Sequence, residues 1–246
     1  MKLVELRSDL NERLKNKPEM KRKITAISRL QWIESSYDLD TAYTRGTEPL
    51  NAEEIQKIIR GGCLEGRTVR DHIMINNYYD MVRLVYGVLP LKDKTDLPLA
   101  EEINRILSRD DMLREKEDCY RKDRPLVKEF AMVPPHPGSV KEELAEVVRY
   151  YNIMHDKLNP LLRGCLIHNE FLRVYPFCEA NEATARALLN FELMCGGFLP
   201  AAFVMDKEEY RNCVSRHINS NDPKPFYEMM LRTEKQRYTS FLEMPL

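Results

Sequence analysis

The segment VYPFCEANEATARALLNF, residues 174–191, places a short acidic loop directly in front of an apolar helix. Small and acidic residues fill the loop as far as Asn181. We expect Asn181 to be the N-cap of the following helix, because an asparagine side chain can accept hydrogen bonds from the free N–H groups of a first turn. A helix N-terminus after a tight loop is also a natural anion site. The segment therefore predicts either a phosphate site or an ordinary helix start.

The rest of the chain is predicted to be mainly α-helical. Only 9 of the 246 residues are glycine, and period-two apolar alternation is rare. Two pairs, Asn51 with Glu54 and Ser139 with Glu142, have the spacing of a capping box at a helix start. The predicted helices span residues 2–16, 19–35, 51–60, 68–87, 98–108, 139–158, 160–174, 182–196, 206–218 and 223–238.

Residues 109–138 interrupt this helical pattern, because they are first highly charged and then rich in proline. Within them, PLVKEFAMV at residues 125–133 favours an extended strand or half of a hairpin. No internal repeat or low-complexity linker divides the chain. We therefore expect one domain over residues 1–246, with N-terminal helices over 1–95 and a core over 96–240.

Composition excludes several classes of function. The net charge of −1 provides no general basic field for nucleic acid or an anionic membrane. The six cysteines form no C-x-x-C pair, which favours reduced thiols in a cytoplasmic protein over a zinc or redox motif. The first residues lack the apolar region of a signal peptide, and no run of 18 apolar residues is present. We expect no membrane span.

The segment YPFCEANEATAR, residues 175–186, resembles the signature of the Fic (Fido) family, H-P-F-x-[DE]-G-N-G-R-x-x-R. The resemblance extends in order from about residue 28 to residue 240. It implies an all-α, Fic-like helical bundle with a small β-hairpin flap at about residues 115–137. The residues that match the signature are Pro176, Phe177, Glu179, Asn181 and Arg186.

The resemblance also implies an activity, namely transfer of AMP from ATP to a hydroxyl of a target protein, with Mg²⁺. It places Tyr175 where the family has its general base, and Glu179 where the family binds the metal. Asn181, Glu182 and Arg186 lie at positions that would contact nucleotide phosphates. The flap would align an unknown protein target by adding a strand. The residues alone leave alternatives open: Glu179 as a helix-start carboxylate and Arg186 as a surface or packing arginine.

The sequence departs from the signature at four positions, Tyr175, Ala180, Glu182 and Ala183. A phenol of ordinary pKa is only about 0.1% ionised at pH 7, and loss of a general base costs roughly 10²–10⁴ in rate. Ala180 resists the positive φ that a glycine adopts. A carboxylate at position 182 repels phosphates by about 4 kcal/mol per close contact, and Ala183 replaces a cation.

These departures predict a degenerate Fic protein with weak or no transferase activity and a role in binding a partner or a nucleotide. The alternative is an active nucleotidyl or phospho-group transferase that uses altered chemistry at the same loop. His168 cannot replace the base directly, because seven residues of helix separate it from Tyr175 by about 10 Å. We expect it to be a packing histidine.

A second feature of the resemblance is a self-inhibitory helix, in which a serine or threonine is followed four residues later by a glutamate that engages the second arginine. Ser36 and Asp40 have this spacing. Aspartate is one methylene shorter than glutamate, so we expect its reach to Arg186 to be insufficient. The other interpretation is a helix C-terminus with ordinary capping residues.

Overall fold

The computed structural model describes residues 2–41, 49–109 and 120–245. Within these ranges the chain is predominantly α-helical, as the composition predicts. All ten predicted helices are found, with two short 3₁₀ turns before the sixth. They are α1 (Leu3–Leu14), α2 (Pro18–Thr41), α3 (Ala52–Ile59), α4 (Val69–Val88), α5 (Leu97–Leu107), α6 (Val140–Ile153), α7 (Pro160–Val174), α8 (Asn181–Cys195), α9 (Lys207–Ser220) and α10 (Lys224–Glu243).

Helix α8 lies at the centre of the core. Nearly all of its residues are buried, including polar ones, which is typical of a helix packed on every side. It packs along α7, and Gly164 permits the close approach of the two helices. A Cβ at Gly164 would lie 3.0 Å from the backbone oxygen of Leu189. The centre of the fold therefore holds both helices that flank the segment of residues 175–180.

Two predicted helix starts have different outcomes. The capping box at α3 is confirmed: Asn51 accepts the Glu54 amide at 3.1 Å, and Glu54 accepts the Asn51 amide at 3.0 Å. The box at α6 is wrong, because Ser139 ends a 3₁₀ turn and caps no amide of the helix with its side chain. Its hydroxyl instead donates to the His136 carbonyl oxygen at 3.0 Å. The preceding proline-rich turn thus determines how α6 begins.

Helix α2 is longer than predicted. It continues from residue 35 to Thr41, since the added turns bury Tyr37 and Leu39 and contain no glycine or proline. Ser36 and Asp40 therefore lie one turn apart on an intact helix. The segment that follows, residues 42–48, lies outside the described residues.

The predicted β-hairpin flap is wrong for the part of the flap that the structure describes. Residues 120–137 contain no strand, and residues 115–119 lie outside the described ranges. A tight turn is formed instead: Val127 and Met132 make a single antiparallel bridge around a 3₁₀ turn, Lys128–Phe130. Ala131 closes this turn in the left-handed conformation, with φ of 49°. Side-chain burial at Phe130 and the proline-rich flanks favour this compact turn over two paired strands.

A contiguous hydrophobic core joins side chains from α1 to α10. None of the helices within the described ranges combines the length and the apolarity that crossing a membrane requires.

Candidate functional site

The loop between α7 and α8 is held by two residues in the left-handed conformation. Tyr175 ends α7 with φ of 47°, and its amide donates to the Phe171 carbonyl oxygen at 2.9 Å. Ala180 precedes α8 with φ of 56°. Both are non-glycine residues, for which this conformation costs roughly 1–2 kcal/mol each. A left-handed residue thus bounds the loop at each end, although neither residue is a glycine.

Asn181 is not the N-cap that the sequence predicts. Ala180 occupies the N-cap position, and Asn181 is the first residue of α8. The Asn181 side chain is buried and turns back into the loop, where its Oδ1 accepts the Phe177 amide at 2.9 Å and its Nδ2 donates to the Phe177 carbonyl oxygen at 2.8 Å. These two hydrogen bonds use its side-chain amide to fix the loop, so Asn181 has a positioning role in the site.

The loop opens into a cleft of about 780 Å³, which we call the α8 cleft. Its walls come from the end of α2, from α4, from the loop and from the start of α8. Five of the seven residues singled out in the sequence line it, which brings most of the predicted site together. These five are Asp40, Tyr175, Glu179, Asn181 and Glu182.

Arg186 lies at the inner end of this arrangement and is fully buried, with 0% of its side chain exposed. Its Nη2 donates to Asp40 Oδ1 at 2.7 Å, to the Tyr78 hydroxyl at 3.3 Å and to the Ser36 carbonyl oxygen at 3.5 Å. The interpretation of Arg186 as a surface residue is wrong. The expectation that Asp40 is too short is also wrong, because the extra length of α2 carries it to the guanidinium.

The other two guanidinium nitrogens, Nε and Nη1, are buried, and the Tyr210 hydroxyl also interacts with this guanidinium. Burial alone would lower the pKa of Arg186, but Asp40 and then Tyr78 outweigh it, so that this pKa lies well above its ordinary value. Arg186 is therefore a buried cation with one carboxylate partner, Asp40. Ser36 contributes through its backbone, and its buried hydroxyl has no partner among the described residues.

Glu182 adds a second carboxylate to the site, in the first turn of α8 and one turn before Arg186. Burial, followed by the charge of Asp40, raises its pKa above the ordinary value, while Arg186, Arg211 and Lys207 oppose that shift. Arg211 and Lys207 also line the cleft. The N-terminus of α8 thus already faces an acidic group of its own chain.

The surroundings of Tyr175 disfavour the phenolate form that a general base requires. Burial, followed by the charges of Glu182 and Glu129, raises its pKa to about 12. His168 offers no replacement: it is fully buried, its Nε2 lies 2.9 Å from the Tyr210 hydroxyl, and its ring stacks on Phe226. Burial lowers the pKa of His168 to about 3. It is a packing histidine, as expected.

Glu179 is exposed at the cleft, and its carbonyl oxygen accepts the Asn104 side chain at 2.8 Å. Among the described residues, no three His, Cys, Asp or Glu side chains form a group that could hold a metal ion. A single carboxylate is still compatible with Mg²⁺, which is commonly bound by one or two carboxylates together with substrate phosphates. Any metal at Glu179 would need such phosphates.

Arg121 is a site residue that the sequence reasoning missed. It is buried with only 3% exposed, and its guanidinium donates to the carbonyl oxygens of Tyr175 at 2.7 Å, Pro135 at 2.6 Å and Val174 at 3.2 Å. Its amide donates to Pro176 at 3.0 Å. Arg121 thus joins the flap segment to the end of α7. No local pattern distinguishes it from the neighbouring charged residues, since its carbonyl partners are far away in sequence.

Comparison with known proteins agrees with this arrangement. Residues 94–193 match the model of the Fic/DOC family. A protein adenylyltransferase named fic-1, from Caenorhabditis briggsae, is 26% identical over 226 residues, which is 87% of this chain and 43% of that protein. The chain thus spans less than half the length of this curated relative.

Solved structures show the same fold. A Fic domain-containing signaling protein from Bacteroides thetaiotaomicron superposes with a TM-score of 0.79 at 19% identity, covering 98% of this chain and 95% of that one. The structure of IbpAFic2 covalently tethered to Cdc42 superposes with a TM-score of 0.54 at 17% identity, covering 82% and 68%. The family match lies on α5 to α8, so the loop and Arg186 fall within the part of the chain that matches the Fic/DOC family.

Proposed function

We propose that this protein is a degenerate Fic-fold protein that transfers AMP weakly or not at all and uses the α8 cleft to bind a nucleotide or a partner. The observation that carries the proposal is the pairing of Arg186 with Asp40, with Glu182 one turn before it on α8. Two carboxylates of the chain itself stand where an incoming phosphate would need positive charge. A contact between two like charges about 4 Å apart costs about 4 kcal/mol at an effective dielectric near 20.

Proton transfer is a second obstacle to AMP transfer. A target hydroxyl must lose its proton to a base, and a base works best with a pKa near the operating pH. A Tyr175 phenol with a pKa of about 12 is ionised to only about 10⁻⁵ at pH 7. This fraction is roughly a hundredfold smaller than for a free phenol.

The reaction class is inferred from the relatives. Curated relatives bear the name protein adenylyltransferase, and one structural neighbour is tethered to the protein Cdc42. We extend from these the expectation of ATP as the nucleotide and of a protein as the partner, approached through the flap segment. The whole relatives are longer than this chain, so their activities describe a larger protein.

The residues present fit ATP and Mg²⁺ only in part. The positive charge of Arg186 suits an anion, and Glu179 suits a metal held jointly with phosphates. The N-terminus of α8 does not suit a triphosphate, because Ala180 places a Cβ in the turn and Glu182 places a carboxylate near the first amides. We therefore derive no transfer step through ATP.

The test measures transfer of labelled AMP from ATP with Mg²⁺ by the purified protein, beside a variant with four changes: Tyr175→His, Ala180→Gly, Glu182→Gly and Ala183→Arg. We expect little label with the natural chain and a gain of at least about 10² with the variant, the lower size of a restored base. Robust transfer by the natural chain would refute the proposal.

The alternative, a transferase with altered chemistry, is supported by one observation, the retention of Glu179, Asn181 and Arg186 in the signature segment. Calorimetric titration with ATP and Mg²⁺ separates the two cases. Binding that is lost in Arg186→Ala but retained in the surface variant Arg149→Ala would show a working phosphate site. If a transfer activity survives replacement of Glu179, Asn181 and Arg186 together by alanine, this loop is not the site of that activity.

A further inference from the structure

A second cavity, of about 790 Å³, lies between α2, α3 and α4 and shares no lining residue with the α8 cleft. We call it the α2 groove. Its floor is apolar: Ile33 and Val82 are buried there, and Leu30 and Ile59 are partly buried. Along α2 the lining runs from Pro18 to Ile33, which is about 22 Å of helix. The groove thus extends along about four turns of α2.

Positive charge lines this groove without any acidic residue. Its charged residues are all cations, in a chain whose net charge is −1. They come from three helices, so the bias is a property of the folded surface and does not arise from one basic stretch. They are Lys21, Arg22, Arg29, Arg60 and Arg83.

The partners of these cations leave the charge almost unneutralised. Arg29 stacks 3.7 Å above the Tyr86 ring, Arg22 donates to the Pro18 carbonyl oxygen, and Arg60 donates to the Gln56 amide oxygen. Of the five, Arg83 alone forms an ion pair with a carboxylate that the structure describes, Asp80 at 3.9 Å, and both side chains are well exposed. Among the described residues, the other four form no ion pair. A groove of one sign with a low-dielectric floor concentrates oppositely charged ligands.

We propose that the α2 groove binds an acidic amphipathic helix of a partner protein. A length of about 22 Å corresponds to four helical turns, and an apolar floor accepts the apolar side chains of one helix face. Cations from three sides would then pair with acidic residues that flank that face, while their aliphatic stems extend the apolar surface. This inference is independent of the nucleotide chemistry proposed for the α8 cleft.

The test uses a designed 18-residue helical peptide with leucine along one face and glutamate on both flanks, labelled for fluorescence anisotropy. A second peptide replaces each glutamate with lysine. We expect saturable binding of the acidic peptide with a Kd below about 100 μM, weakened by added salt, and no binding of the basic peptide. NMR shifts on binding should centre on Ile33, Ile59 and Val82.

Charge-reversed variants locate the interaction. The groove variant combines Arg22→Glu with Arg60→Glu, and the control combines Lys157→Glu with Lys224→Glu, which makes the same change of net charge elsewhere. All four side chains are exposed, so both proteins should fold. We expect the groove variant to bind about tenfold more weakly and the control to bind as the natural chain does.

Several results would overturn the proposal. These are no binding of the acidic peptide at millimolar concentration, equal loss in both variants, or NMR shifts outside the groove. Two other occupants are tested directly. Binding to vesicles of phosphatidylglycerol that is lost only in the groove variant would assign the groove to a lipid surface. A dimer in sedimentation velocity that dissociates only in that variant would assign it to a second copy of the chain.

Discussion

Replacing Asp40 with alanine tests the buried ion pair between Asp40 and Arg186, on which the proposed function rests. The change leaves the Arg186 guanidinium with neutral partners among the described residues, such as the Tyr78 hydroxyl at 3.3 Å and the Ser36 carbonyl oxygen at 3.5 Å. Breaking a buried ion pair from one side typically costs 3–5 kcal/mol, because a buried charge remains without compensation. Asp40 is 21% exposed while Arg186 is not exposed at all. We therefore expect the free energy of unfolding to fall by about 3 kcal/mol, the lower end of that range.

The assay is urea unfolding in chloride buffer and again in 100 mM phosphate of matched ionic strength. The vacated position should admit an anion to the guanidinium, and a phosphate site with a Kd of about 1 mM would restore about 2.7 kcal/mol. Glu192→Ala is the matched control. It leaves Arg163 without its carboxylate in a pair that is also buried, with side chains 3% and 1% exposed, and that lies outside the cleft.

The reasoning makes the two variants differ. Both should be destabilised by several kcal/mol in chloride, but phosphate should rescue only Asp40→Ala beyond its effect on the natural chain. If Asp40→Ala lowers the free energy of unfolding by less than about 1 kcal/mol, Asp40 is not the partner that stabilises Arg186. Equal rescue of both variants would mean that phosphate acts on stability in general and that the cleft contains no anion site.

Four further predictions follow from the same geometry. Glu182→Gln should increase unfolding free energy at pH 7 by about 1 kcal/mol and tighten phosphate binding, because it removes a carboxylate whose pKa is raised by burial and by Asp40; an unchanged urea midpoint would contradict this. Ala180→Gly should stabilise by about 0.5–1 kcal/mol by relieving the left-handed conformation, and Ala131→Gly, also at positive φ, should give a similar gain without altering ligand binding at the cleft. Arg121→Met should destabilise by at least about 2 kcal/mol, since it strands buried carbonyl oxygens, and near-native stability would show that Arg121 does not hold the flap segment. Because burial lowers the pKa of His168 to about 3 from an ordinary value near 6.5, the unfolded chain takes up a proton first as pH falls; stability should drop by about 2 kcal/mol between pH 6.5 and 5, and His168→Gln should flatten that slope.

Local signals in the sequence predict the helices well and predict contacts between helices poorly. Asn51 and Glu54 cap a helix through neighbours three residues apart, which a sequence displays directly. The pairing of Arg186 with Asp40 joins residues 146 positions apart. It depends on α2 continuing to Thr41, which burial of Tyr37 and Leu39 favours and which no start or stop signal announces.

Errors at the loop and the flap have the same origin. Asn181 has the side chain of an N-cap, but the turn places Ala180 at that position and directs Asn181 toward Phe177. The segment of residues 125–133 has strand-like composition, but the burial of Phe130 closes it into a 3₁₀ turn. In each case packing in the folded molecule overrides a local preference.

The contact between Asp40 and Arg186 also means that any external anion must compete with Asp40 for the guanidinium. A carboxylate carried on a continuous helix is a competitor that cannot be diluted, and its effective concentration at the guanidinium is fixed by the fold. If an external anion binds Arg186 only when Asp40 has moved away, its apparent Kd equals the intrinsic Kd divided by the fraction of molecules in that state. An anion affinity measured on the natural chain would thus include the competition with Asp40. The intrinsic Kd for an anion at Arg186 would be measured only after Asp40 is replaced.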